Sequence, residues 1–323
     1  MGLATGDALG MPVEFKTRGQ FEDVKGYRSG GPFNLPAGYW TDDTSMALCL
    51  ADSILEKGGY DSFDVMEKYS AWVSKGYRSS TGKCFDVVNQ VRNAINRFTQ
   101  NSVVPMSEKY VEAAGNGCVM RLAPIVIASI ASSKNIYTTE RYSMISARET
   151  HLSHIAEQAT GLFGGILYIA ATQMEAKEKI HGIINRLSSK NKWMVFWQNI
   201  YEKKLEDIKP TGYVVDTIEA ALWVFLTTSS FEDAVLKAVN LGGDADTIGA
   251  VCGQLAGAYY GLEGIPKELI EGLFQHDNLL DVANRLTEIK NISFIKSRFE
   301  VDQSGPGYGD ERAEEFEKMD ILV

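Results

Sequence analysis

The stretch Gly-Gly-Asp-Ala-Asp-Thr, Gly242 to Thr247, leaves this chain little freedom, because it runs directly into apolar residues at Ile248, Val251, Cys252, Leu255, Ala256 and Tyr259. That spacing is one face of a helix. It predicts a buried helix with Asp244, Asp246 and Thr247 crowded at its N-terminal opening. One side-chain oxygen suffices to cap a helix, so three such donors leave a choice between a cap and a cation site.

A second helix start has the same surplus. Thr41, Asp42, Asp43 and Thr44 precede Met46, Ala47, Leu50, Ala51, Ile54 and Leu55 on one predicted face, with Gly58 and Gly59 as the stop. Either start alone reads as an ordinary cap that also opposes the helix dipole. Four carboxylates brought together would repel one another unless cations intervene. Oxygen donors without neighbouring His or Cys suit Mg²⁺, Mn²⁺ or Ca²⁺ rather than zinc. The pattern therefore predicts a binuclear hard-metal site but gives no substrate. The Asp-Asp-x-x-Asp motif of isoprenyl-diphosphate synthases is not met, since Thr44, Ser45 and Met46 follow Asp42-Asp43.

Helical periodicity continues over Asp61 to Ser74, Cys84 to Thr99, Val119 to Ser129, Thr138 to Thr150, Ile155 to Gln173, Gly212 to Leu226 and Phe231 to Asn240, and sustained alternation of period two is absent. A small-residue helix is expected over Met1 to Leu9, leaving Glu14 as a lone acid in Pro-Val-Glu-Phe. Residues 188–210 are the least legible, two short helical segments are expected after Pro266, and the acidic tail containing Ser304 to Gly309 is expected to be a loop and an adjunct helix. With no disordered linker and no fixed-period repeat, the expectation is one all-α domain over 1–323. A formal charge of −10 and a pI near 5.1 exclude the cationic surface that non-specific nucleic-acid binding requires. No apolar run is long enough for a membrane helix, and the four cysteines lack metal-site spacing, so a reduced, cytoplasmic protein is expected.

Five fragments in order carry a resemblance: Gly-Leu-Ala-Thr-Gly-Asp-Ala-Leu-Gly with Val-Glu-Phe, Trp-Thr-Asp-Asp-Thr, Gly-Asn-Gly with Met-Arg, Thr-His, and Leu-Gly-Gly-Asp-Ala-Asp-Thr. The chain resembles the ADP-ribosylglycohydrolase family over about residues 1–265. That family includes the dinitrogenase reductase-activating glycohydrolase and the ADP-ribosyl-arginine and ADP-ribosyl-serine hydrolases. The resemblance implies an all-α fold and two Mg²⁺ or Mn²⁺ ions held by Thr41, Asp42, Asp43, Asp244, Asp246 and Thr247. It further implies catalytic roles for Glu14 and Asp43, and substrate contacts from Gly115, Asn116 and Gly117 beside the pyrophosphate and from His151 beside the ribose. Asp86 has two readings, a catalytic acid after a loop or a plain acid at a helix start. The implied partner is an ADP-ribosylated protein, with ADP-ribose as product. Arginine linkage is expected, serine-linked or small-molecule compounds are the alternative, and a non-catalytic ADP-ribose-binding or crystallin-like structural role is the rival.

Overall fold

The glycines of the first helix decide how the molecule is assembled. In the computed structural model, which describes residues 1–102, 104, 114–188, 194 and 197–293, helix α1 (Gly2–Gly10) lies backbone to backbone along α11 (Ala245–Tyr260). A Cβ on Gly6 would fall 1.9 Å from the Gly249 carbonyl oxygen, and Cβ atoms on Gly2 and Gly10 would meet Gly253 and Ala245 almost as closely. Spacing of four puts these residues on one helix face, so both helices are smooth where they meet. Every residue of α1 is buried. Helix α1 also touches α2 (Asp42–Lys57), which puts Asp7 beside the second acidic helix start.

The remaining helices wrap this pair. They are α3 (Ser62–Lys75), α4 (Asn89–Asn101), α5 (Ala123–Ala131), α6 (Ile136–Arg148), α7 (His154–Thr172), α8 (Ala176–Ser188), α9 (Val214–Leu226), α10 (Phe231–Val239), α12 (Lys267–Glu271) and α13 (His276–Thr287). The described residues contain no β-strand, only isolated bridges at Gly30–Leu35 and Gly115–Tyr213, so the all-α expectation holds. A continuous apolar core includes Leu9 of α1, Leu50 of α2, Phe163 of α7, Phe225 of α9 and Leu255 of α11. Among the described residues no helix is long and apolar enough to cross a membrane.

Two expected helices begin later than their periodicity suggests. Residues 84–88 are not helical, and α4 starts only at Asn89. Asp86 takes φ 55°, a left-handed conformation that a helix start does not use. Likewise 118–121 form turns before α5, where Pro124 fits the first turn. Helix α8 adds an element beyond those expected. The tail around Ser304 to Gly309, together with Trp193 and Phe196, lies outside the described residues.

Candidate functional site

The acids at the two helix starts are not caps. Neither Thr41, the N-cap of α2, nor Asp244, the N-cap of α11, makes a side-chain capping hydrogen bond. Asp7 takes over that work from α1. Its Oδ1 accepts from Thr41 N and Thr41 Oγ1, both at 2.9 Å, and its Oδ2 accepts from Thr44 N at 3.0 Å and Thr44 Oγ1 at 2.6 Å. With the first turn of α2 satisfied from outside, Asp42 and Asp43 are free for other duties.

Those duties are shared with α11. Thr41 Oγ1 lies 3.2 Å from both Asp43 Oδ2 and Asp246 Oδ2, joining residues 205 positions apart. Carboxylate oxygens converge in two overlapping groups, Asp7 with Asp43 and Asp246, and Glu14 with Asp86 and Asp246. Within each group the ligand atoms lie within 4.8 Å of one another, and Asp246 belongs to both. The double glycine before α11 makes this approach possible. Gly242 and Gly243 have φ of 71° and 64°, and a Cβ on Gly243 would fall 2.0 Å from Pro210 O.

Such crowding shows in the electrostatics. Burial first, and neighbouring acids second, push Asp42, Asp43 and Asp246 well above the usual carboxylate range. The same causes raise Glu14 to about 10 and Asp86 to about 7; burial alone raises Asp7 to about 6, against the lowering effect of its threonine donors. Burial also raises Asp244. Among the described residues, no Lys, Arg or His forms an ion pair with Asp7, Glu14, Asp42, Asp43, Asp86, Asp244 or Asp246. Glu14 Oε2 and Asp43 Oδ1 are buried without a hydrogen-bond partner. Buried carboxylate oxygens lacking protein donors are what hard cations satisfy, so the donor set fits a metal of that class.

Above the acids opens a cleft of about 640 Å³. Glu14, Asp42, Asp86, Asp244, Asp246 and Thr247 line it, whereas Thr41 and Asp43 lie beneath, wholly buried. Gly115, Asn116, Gly117 and His151 line it as well. Neither glycine needs a left-handed backbone here; what each supplies is space. A Cβ on Gly115 would fall 2.5 Å from Gln90 Oε1, and one on Gly117 would fall 3.0 Å from His151 Cε1. Among the described residues the Gly115 and Gly117 N–H groups have no protein acceptor, while Asn116 N donates to Gly212 O at 3.1 Å. The Asn116 amide is also engaged: Nδ2 donates to Asp244 Oδ2 at 2.6 Å and to Thr217 Oγ1 at 3.0 Å. Asn116 thus holds an acid, and the glycines hold the open donors.

Asp7 is the functional candidate that sequence reasoning missed. It sits in a run of small residues with no acidic neighbour, and only its burial among Gly6, Ala8 and Leu9 in a closely packed helix could have signalled a fixed partner.

By the family that its sequence matches, this helical chain with acids buried under a concave cleft is a hydrolytic glycosidase. The chain belongs to the ADP-ribosylglycohydrolase family, whose sequence profile matches residues 1–292. It is 36% identical over 286 residues to the ADP-ribosylarginine hydrolase Tri1 of Serratia proteamaculans, covering 88% of this chain and 77% of that protein. It is 33% identical over 275 residues to the ADP-ribosyl-[dinitrogen reductase] glycohydrolase of Rhodospirillum rubrum, covering 82% and 85%. A solved structure described as an ADP-ribosylglycohydrolase-related protein complex superposes with a TM-score of 0.71 at 34% identity, covering 90% of this chain and 95% of that one.

Proposed function

We propose that this enzyme hydrolyses the N-glycosidic bond between ADP-ribose and an arginine side chain of a modified protein. Two Mg²⁺ or Mn²⁺ ions would be held by Thr41, Asp42, Asp43, Asp244, Asp246 and Thr247, while Asp7, whose two oxygens accept from Thr41 and Thr44, holds the first of these helix starts in place. The observation that carries the metal reading is Asp246, which belongs to both acid groups and so joins them into one donor set. When bound, such ions orient ribose hydroxyls and polarise water.

The chain's own residues divide the remaining work by position. Glu14 and Asp86 reach the cleft and are the acids able to move protons there, one toward the departing guanidine nitrogen and one from the attacking water. Asp43, below the floor, keeps the ligand role. Positive charge grows on the ribose as the C1″–N bond breaks, and the surrounding carboxylates stabilise it. The Gly115 and Gly117 N–H groups suit the pyrophosphate, and His151 suits an oxygen of the sugar.

Arginine linkage is supported by the similarity to an ADP-ribosylarginine hydrolase. Release of ADP-ribose from arginine-modified and serine-modified peptides, measured side by side in Mg²⁺, tests the assignment. Faster release from arginine is expected; release from serine alone would reverse the linkage, and release from neither would favour a non-catalytic role.

A further inference from the structure

The part of the cleft lined by Gly115, Gly117 and His151 is built on one wholly buried cation. Arg121 Nη1 donates to Gly117 O at 2.8 Å, and Nη2 donates to Ser146 O at 3.1 Å and to Thr150 Oγ1 at 2.9 Å. Its guanidinium lies 4.8 Å from the centre of the Tyr69 ring. Glu149 Oε2 stands 3.8 Å away, while Glu149 Oε1 accepts from Tyr60. One side chain therefore ties the glycine turn to the end of α6 and the residues after it.

The proton positions follow from donor arithmetic. Arg121 can only donate, so Thr150 Oγ1 accepts from it and keeps its own hydroxyl proton to give away. The one further partner of that hydroxyl among the described residues is His151 Nδ1, at 2.8 Å. A buried hydroxyl without an acceptor is costly, so Nδ1 must accept. The ring proton then resides on Nε2. His151 is 1% exposed, yet it lines the cleft, and its Nε2 has no partner. Burial, reinforced by the Arg121 charge, lowers its pKa from 6.5 to about 3, so the ring is neutral.

We infer that Arg121 and Thr150 are positioning residues, which through a directed Arg121–Thr150–His151 hydrogen-bond chain lock His151 as a neutral Nε2–H donor aimed at an oxygen of the ADP-ribosyl group. Gly117 is held by the same guanidinium, so turn and imidazole keep one spacing. The ligand assignment rests on the proposed function above; the tautomer does not.

Long-range ¹H–¹⁵N correlation spectra of histidine-labelled protein read the tautomer directly, with His151 assigned by the signal lost in His151→Gln. The wild type is expected to show a protonated Nε2 and a bare Nδ1. Thr150→Val, which keeps the shape and removes the hydroxyl, should produce mixed tautomers and raise KM for arginine-linked ADP-ribose about three- to ten-fold, the range for one neutral hydrogen bond, with kcat little changed. Thr150→Ser should restore both. A wild-type proton on Nδ1, or a Thr150→Val variant with unchanged spectrum and KM, would overturn the inference. Should the wild type fail to hydrolyse the arginine linkage, the function reading falls while the spectrum still decides the tautomer. Should Thr150→Val fail to fold, the wild-type spectrum and Thr150→Ser decide.

Discussion

Replacing Gly6 by alanine would place a methyl carbon 1.9 Å from the Gly249 carbonyl oxygen, where ordinary contact begins at 3.4 Å. The partner is helical backbone, which has no rotamer to yield. Helices α1 and α11 must then separate by roughly 1.5 Å, the difference between those distances. Overpacking of this kind costs about 1–3 kcal/mol, offset by about 0.5–1 kcal/mol from replacing a helical glycine. A net loss of about 1–2 kcal/mol corresponds to a fall in Tm of roughly 2–3 °C for 323 residues, at about 2.1 cal/mol/K per residue. The same displacement carries Asp7 away from Asp246, whose ligand atoms now lie within 4.8 Å, and a misplacement of about 1 Å can cost a hundredfold in rate. Thermal melts and ADP-ribose release should therefore fall together. Gly182→Ala in α8 is the matched control, because its Cβ would meet nothing within 4 Å, and it should leave Tm unchanged or slightly raised. A Gly6→Ala protein with wild-type Tm and wild-type turnover would refute the close helix contact as the device that assembles the acids.

Other changes separate the roles of the acids and the wall. Asp246→Asn should raise Tm in EDTA by removing repulsion, yet abolish ion-dependent stabilisation and turnover; calorimetric melts with and without Mg²⁺ check this. Glu14→Gln should lower kcat by about 10²–10⁴, the span of general acid–base assistance, while ADP-ribose binding by isothermal titration persists. For His151, the folded pKa of about 3 lies below the unfolded 6.5, so the unfolded chain binds the extra proton and stability is lost as pH falls below about 6.5. At pH 5 this amounts to about 2 kcal/mol, at 1.36 kcal/mol per pH step. His151→Gln should remove that share, so urea unfolding of the variant should weaken less between pH 6.5 and 5 than that of the wild type.

Much of the fold was legible because its helices bury strong apolar stripes. Ile248 through Tyr259 announces α11, and Met46 through Leu55 announces α2. Residues 84–88 misled because Val87, Val88 and Val91 continue a helical apolar spacing, whereas the chain there is irregular and Asp86 joins Glu14 and Asp246 in space. Tertiary contact overrode local pattern at that point. The two acidic helix starts could be read as a pair because each held more oxygen donors than a cap uses. Asp7 could not, since its partners Thr41 and Thr44 stand 34 and 37 positions away and nothing local marks it. Nor does spacing reveal that Asn116 serves Asp244, or that Gly115 and Gly117 are small to admit Gln90 and His151.

The central claim is that the buried acids hold hard cations and that hydrolysis depends on them. Turnover of arginine-linked ADP-ribose by EDTA-stripped protein, followed as Mn²⁺ is returned and bound ion is counted, tests it most directly. Activity absent at zero occupancy and rising to a plateau near two ions per chain is the predicted result. Full turnover by protein with no bound ion would contradict it.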